Sequence, residues 1–422
     1  MFGKRMPPWA AVVAAALLAA ACGSSSKSGS SSAPPSSSPS SGSGASAGQT
    51  ITIGVLTDLT GLAASTEASV PQGIKAGVGE ASQEGYTIKY VVADAATSPT
   101  GALQAAEKLV DQDHVFGVIA ISALTFAAAN FLMAHDIPVV GAAIDGPEWV
   151  TAKNMFSIDG TEDFTKVYDV AGQFYKMEGV TNLAALGYGI TPSSALSTKD
   201  TAVSAEVAGI KVGYLNANFP FGSTNVGPVA LAIKSAGSDG MYTGVETSTS
   251  FALITALEQD GVHMKAALLP IGYGGDLLSG GPAAEQAAQG VYFIVDYEPA
   301  EMHTAATERF QAALKRYAGV TDDATFNEYL AYVSVDGFVA GLKAAGPNPT
   351  QAGFINAMSG ITDYNAAGLF GDHSISFALS ARGQTIGADN CEWITQFSGS
   401  MFHLVPGADP ICGSLVPGKT VS

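Results

Sequence analysis

The sequence predicts an α/β protein of two doubly wound lobes, each a mainly parallel sheet covered by helices. Three observations predict it. Short β-branched runs alternate with helical stretches at the spacing of βαβ units. The alternation restarts after Asp163, giving a second set of similar size. The roughly 374 residues from Gln49 to Ser422 exceed what one simple core holds.

Taken in order, Ile51-Thr-Ile-Gly-Val-Leu56 reads as the first strand and 57–61 as a polar loop. Pro71 opens a helix at a first-turn position, where its missing N–H costs nothing. A second strand is expected over 87–93. A helix over 97–110 carries Leu103, Ala106 and Val110 on one stripe. Strands over 116–121 and 137–140 flank a loop and helix over 122–135. The second set begins with a helix running through Lys176. Strands follow at 182–186, 210–215, 240–243 and 266–269, with helices near 195–207, 229–235 and 251–259. A strand over 290–296, helices at 304–317, 327–345 and 349–358, and a β-rich tail from Ile375 complete the chain.

The first 48 residues are of another kind. Lys4 and Arg5 precede an apolar run from Trp9 to Ala21, 13 residues long and too short to span a bilayer as a helix of about 20 residues. A charged start, a short apolar core and small residues read as an export signal over 1–21. Leu17-Leu-Ala-Ala-Ala-Cys22 resembles a bacterial lipobox, although Ala19 stands where Leu is usual. The resemblance implies cleavage before Cys22, lipid on its sulfur, and attachment to the outer face of the cell membrane. The alternative is an ordinary signal peptide cut nearby. Residues 22–48 are almost all Ser, Gly, Ala and Pro, a linker with no core to bury and a reach of roughly 30 Å. Gly44-Ala-Ser-Ala-Gly48 matches the serine-hydrolase elbow formally, but lacks the strand and helix that elbow requires.

The chain holds 19 basic and 37 acidic residues. With no basic run in its exported part, it is not suited to nucleic acid. Charged residues make up 13% of it, against about 25% in ordinary domains. Beyond Cys22 there remain Cys391 and Cys412, in an exported protein most simply a disulfide, otherwise two separate thiols. The six histidines are scattered singly, so no metal site is expected and no cofactor motif is present.

Two α/β lobes on an exported chain resemble the type I periplasmic solute-binding proteins, in the leucine/isoleucine/valine-binding branch that serves ABC importers. The markers are the opening strand with Thr60-Gly61, Asp94 followed by Pro99, the helix Ala105-Ala-Glu-Lys-Leu-Val110, Phe116-Gly-Val-Ile, Ile137-Pro-Val-Val and Gln289-Gly-Val-Tyr-Phe. The resemblance implies three crossings between lobes, with lobe 1 over 49–163 plus 296–365 and lobe 2 over 164–295 plus 366–422. It implies a small amino acid, branched-chain or related, held between the lobes, with ABC permease subunits as partners and a monomer as the expected state.

Carried over residue by residue, the resemblance places Ser122, the Ala123 backbone and Thr125 at the ligand's carboxylate, although both hydroxyls could merely cap the next helix. Ala143 falls among the small residues that line the family's site, and Asp145 stands where the family has a Thr that touches the bound amino acid. Asp145 could accept an ammonium or cap a helix. The family's second-lobe Tyr is replaced by Pro192, with Tyr188 close by. Its ammonium-binding Glu aligns near Gly272, beside Tyr273. Glu246 lies where an aromatic is common. Either Asp145 or Glu246 replaces the missing acid, or the ligand is a different carboxylate or amide. No catalytic constellation appears, so an enzyme is not expected. A ligand-sensing module of the same fold is the other reading.

Overall fold

The computed structural model describes residues 50–160 and 162–422. The export segment 1–21, Cys22 and the linker over 22–48 lie outside the described residues.

The first sheet holds β1 (Thr50–Thr57), β2 (Thr87–Asp94), β3 (Gly117–Ile121), β4 (Val139–Gly141) and β5 (Met155–Ser157). Its order is β2-β1-β3-β4-β5, all parallel. Between them run α1 (Ala64–Glu67), α2 (Val70–Gln83), α3 (Pro99–Glu107), α4 (Phe126–Ala134) and α5 (Glu148–Thr151). Every residue of β3 and β4 is buried, as expected for strands covered on both faces.

The second sheet has the order β13-β12-β11-β10-β9-β7-β8, with β14 added beside β12. Before it comes the short β6 (Lys166–Tyr168). Its members are β7 (Asn182–Tyr188), β8 (Lys211–Phe219), β9 (Gly240–Gly244), β10 (Ala266–Leu269), β11 (Tyr292–Val295), β12 (Cys391–Ser398), β13 (Met401–Leu404) and β14 (Ile411–Cys412). Strands β7 to β11 pair in parallel, whereas the tail strands β12 to β14 join antiparallel. The last strand, β15 (Leu415–Thr420), pairs with β6. Helices α6 (Val170–Met177), α7 (Pro192–Val207), α8 (Gly227–Ala236), α9 (Thr247–Gln259), α10 (Gly275–Leu278) and α11 (Gly281–Ala287) belong to this half.

After β11 the chain returns to the first sheet as α12 (Ala305–Ala313), α13 (Phe326–Ala345) and α14 (Gln351–Met358). A capping box, with Thr325 and Glu328 each bonding the other's backbone, starts α13. Helix α13 lies hard against α2 because α2 presents glycines there. A Cβ on Gly73 would sit 2.4 Å from the Glu328 carbonyl oxygen, and one on Gly77 would sit 2.7 Å from Val335 Cβ.

The two-lobed α/β architecture expected from the sequence is therefore present. Three local expectations change. The helix expected through Lys176 is preceded by β6, whose partner lies some 250 residues later. The strand expected over 210–215 continues to Phe219. The helix over 97–110 gives way after Glu107 to a wider turn, Lys108–Gln112. Cys391 and Cys412 are joined as a disulfide at the start of β12, clamping the tail onto the second sheet.

Candidate functional site

A cavity of about 250 Å³ lies where the carboxyl ends of both sheets face each other. Open α/β sheets place ligands at that end. The first half supplies Ala123 after β3, Ala143 and Ile144 after β4, Asp159 after β5, Glu67 from α1, and Phe326 and Asn327 from the start of α13. The second half supplies Tyr188 at the end of β7, Glu246 after β9, Ile271 after β10 and Asp296 after β11. Ser193, Ser197 and Asp200 form one stripe of α7 along the cavity. The tail adds Gly387 and Glu392.

The electrostatics of this lining are one-sided. Glu67, Asp159, Glu162, Asp200, Glu246, Asp296 and Glu392 all line it, and among the described residues no Lys, Arg or His does. Burial pushes every one of these seven carboxyls up, Glu246 and Glu392 to about 7 and Asp159 to about 6. Neighbouring carboxylates raise several of them further. Asp58 and Glu246 act on Glu67, and Asp159 and Glu392 act on Asp296. One carboxylate oxygen of Glu246 is buried without a partner.

Four of the eight expected ligand residues, Ala123, Ala143, Tyr188 and Glu246, line this cavity. Tyr188 accepts the Glu246 N–H at 3.2 Å and packs edge-on against Phe221. The other four are committed elsewhere. Ser122 Oγ donates to Asp58 Oδ2 at 2.9 Å, and the Ala123 N–H reaches the same oxygen at 3.1 Å. The Thr97 N–H bonds the other Asp58 oxygen at 2.6 Å. The donors assigned by resemblance to a ligand carboxylate thus hold a carboxylate of the chain itself. Thr125 Oγ1 donates back to the Ser122 carbonyl. Asp145 accepts the Phe126 N–H and the Trp149 indole N–H, at 2.6 and 3.1 Å. Burial, then the adjacent Glu148, holds the Asp145 carboxyl well above the usual range. Tyr273 is buried, donating to Glu301 at 2.6 Å.

Sequence reasoning passed over Asp58 and six of the seven lining acids, Glu246 being the exception. A usable signal existed for two of them, since Asp159 and Asp296 each follow a strand end, where a ligand belongs. Glu392 carries no local signal, because the tail fold places it. As for metals, the described residues bring together one group of potential ligands, His373, Cys391 and Cys412, and the disulfide removes both sulfurs as thiolate donors.

The two halves also touch across the cavity. Ser193, at the start of α7, donates its hydroxyl to the Ile144 carbonyl at 2.8 Å and its N–H to the Asp145 carbonyl at 3.1 Å. A cavity between two α/β halves, walled by strand-end loops, has the form of a small-molecule binding site.

Solved structures share this architecture. A leucine binding protein from Thermotoga maritima is 17% identical, covering 84% of this chain and 97% of its own, with a TM-score of 0.70. Two ABC-transporter solute binding proteins from R. palustris, one in complex with 4-hydroxybenzoate and one with benzoate, are 18% and 15% identical. Each covers 89% of this chain, and they cover 97% and 98% of their own, with TM-scores of 0.68 and 0.69. No curated protein matches the chain. The profile of the family described as Periplasmic binding protein matches residues 50–399, so the chain belongs to that family.

Proposed function

We propose that this protein is the extracytoplasmic solute-binding component of an ABC importer, that it catalyses no reaction, and that its cargo carries a protonated amine. An amino acid is the class considered first. The observation that carries the reading is the cavity lining, seven carboxylates with no cationic side chain. An ammonium beside Glu246 and Glu67 restores charges that burial otherwise suppresses. A benzoate-like anion would find no cationic side chain there, and the donors around Ser122 already serve Asp58. The apolar faces of Ile144, Phe221, Ile271 and Phe326 suit an aliphatic body. Permease subunits would read the lobes closed over the cargo. Lipid on Cys22 would keep the protein at the outer membrane face, and Cys22→Ser is expected to release it from membranes.

The test is calorimetric titration of the full chain, stripped of bound solute. The panel holds branched-chain amino acids, their amines lacking the carboxylate, and their carboxylates lacking the amine. Binding that requires the amine is expected. Binding that survives only in the carboxylates would overturn the reading.

A further inference from the structure

We propose that the cavity holds two separate cation subsites, one at Glu246 and a second at Asp200, Asp296 and Glu392, and that the cargo is a linear di- or polyamine lying along α7. This deepens the amine reading above and rests on it.

The second subsite is supplied by α7, the segment after β11 and the tail strand β12. Glu392, on the disulfide-clamped start of β12, is 7% exposed, lines the cavity, and meets no hydrogen-bond partner among the described residues. Asp296 likewise lacks one. Asp200 uses one oxygen on the Tyr168 N–H at 3.1 Å. The Tyr168 side chain, 1% exposed, also lines the cavity, and its hydroxyl is buried without a partner. Of these, the Tyr168 hydroxyl is fully buried with nothing to bond, and the Glu392 and Asp296 carboxylates meet no hydrogen-bond partner among the described residues. A buried carboxylate or hydroxyl left unpaired costs free energy that an occupant with N–H donors would recover.

The spacing selects the occupant. Ser193 and Asp200 both face the cavity from α7, and seven residues at 1.5 Å each put about 10 Å between the two ends. Ser194, next to Ser193, donates to the Gly244 carbonyl two residues before Glu246, and Glu246 acts on Glu67, whereas Glu392 acts on both Asp200 and Asp296. Val170, Ile294 and Ile386 line the same cavity. Charge at both ends of the α7 stripe, with apolar residues elsewhere on the cavity wall, is the pattern of ammonium groups joined by methylenes. A metal ion would need several oxygens converging at 2.0–2.6 Å. Among the described residues no three of these carboxylates bring their oxygens within 4.8 Å of one another.

Calorimetric titration of the full chain tests this with butylamine, 1,4-diaminobutane, a linear triamine, valine and calcium. Each nitrogen added at the correct spacing is expected to tighten binding roughly tenfold or more, the scale of a charged hydrogen bond. Glu392→Gln and Asp296→Asn are amide replacements that break no hydrogen bond. Each is expected to erase the gain from the second nitrogen, so that butylamine and 1,4-diaminobutane bind the variant with equal affinity. Equal affinities for mono- and diamine would overturn the second subsite and leave the amine reading standing. So would calcium binding that either variant abolishes. Failure of every amine would overturn both.

Discussion

At the scale of single residues, the decisive substitution is a carboxylate for a carboxylate. The loop after β3 keeps the Ser122 hydroxyl and the Ala123 N–H that suit an anion, and Asp58 fills that position from within the chain. The identity of Ser122 was legible in the sequence, but its partner was not, because Asp58 is 64 residues away and reaches it only after β1 and β3 pair. Ser122→Ala is therefore expected to cost stability of about 1.5–3 kcal/mol, the worth of a hydrogen bond to a charged group, read as a lower thermal midpoint. Affinity for an amine cargo should change little. Weakened binding at unchanged midpoint would instead return the hydroxyl to the ligand. Asp145 follows the same logic, since the Phe126 N–H and the Trp149 indole already occupy both its oxygens.

At the scale of elements, legibility followed the range of the interactions. Strands β1, β2 and β3 stand out because eight- and five-residue β-branched runs need no distant partner to be recognised. Strand β6 is three residues long and exists only because β15 closes on it from the far end of the chain. Glu392 and Gly387 enter the cavity for the same reason, through the antiparallel tail and its disulfide. Helix packing carries a sharper sequence mark. Gly73 and Gly77, four residues apart on α2, let α13 approach to contact distance, and a side chain at either position has no room. Gly73→Ala would force its Cβ against the Glu328 carbonyl, at the first turn of α13. Overpacking of this kind costs about 1–3 kcal/mol. The expected result is a lower thermal midpoint, since the helix preference of Ala over Gly, about 1 kcal/mol, is the smaller effect. A higher midpoint would show that α2 and α13 separate freely.

At the scale of the whole molecule, the cavity acids couple stability and cargo to pH. Burial lifts Glu246 and Glu392 to about 7 and Asp159 to about 6, and it also lifts Asp276, which accepts the Phe326 N–H outside the cavity lining, to about 8. In the unfolded chain such groups lose their protons near 4. Between roughly pH 4 and pH 8 the native state therefore binds more protons than the unfolded one, and the stability of the cargo-free protein falls as pH rises. Asp94 and Asp239 act oppositely. Their hydrogen bonds, to Thr60 and to Lys265 and Thr181, outweigh partial burial and hold them low, so their contribution is lost only on further acidification. A cationic cargo reverses the trend in the first window. It needs the carboxylates ionised, so its binding expels protons and tightens as pH climbs from 5.5 to 8. Thermal midpoints measured at both pH values, with and without 1,4-diaminobutane, should show a cargo-free protein weaker at pH 8 and a ligand-induced rise that is larger there. An anionic cargo would give the inverse, a ligand-induced rise confined to the acid side, because it could enter only after these carboxyls had taken up their protons.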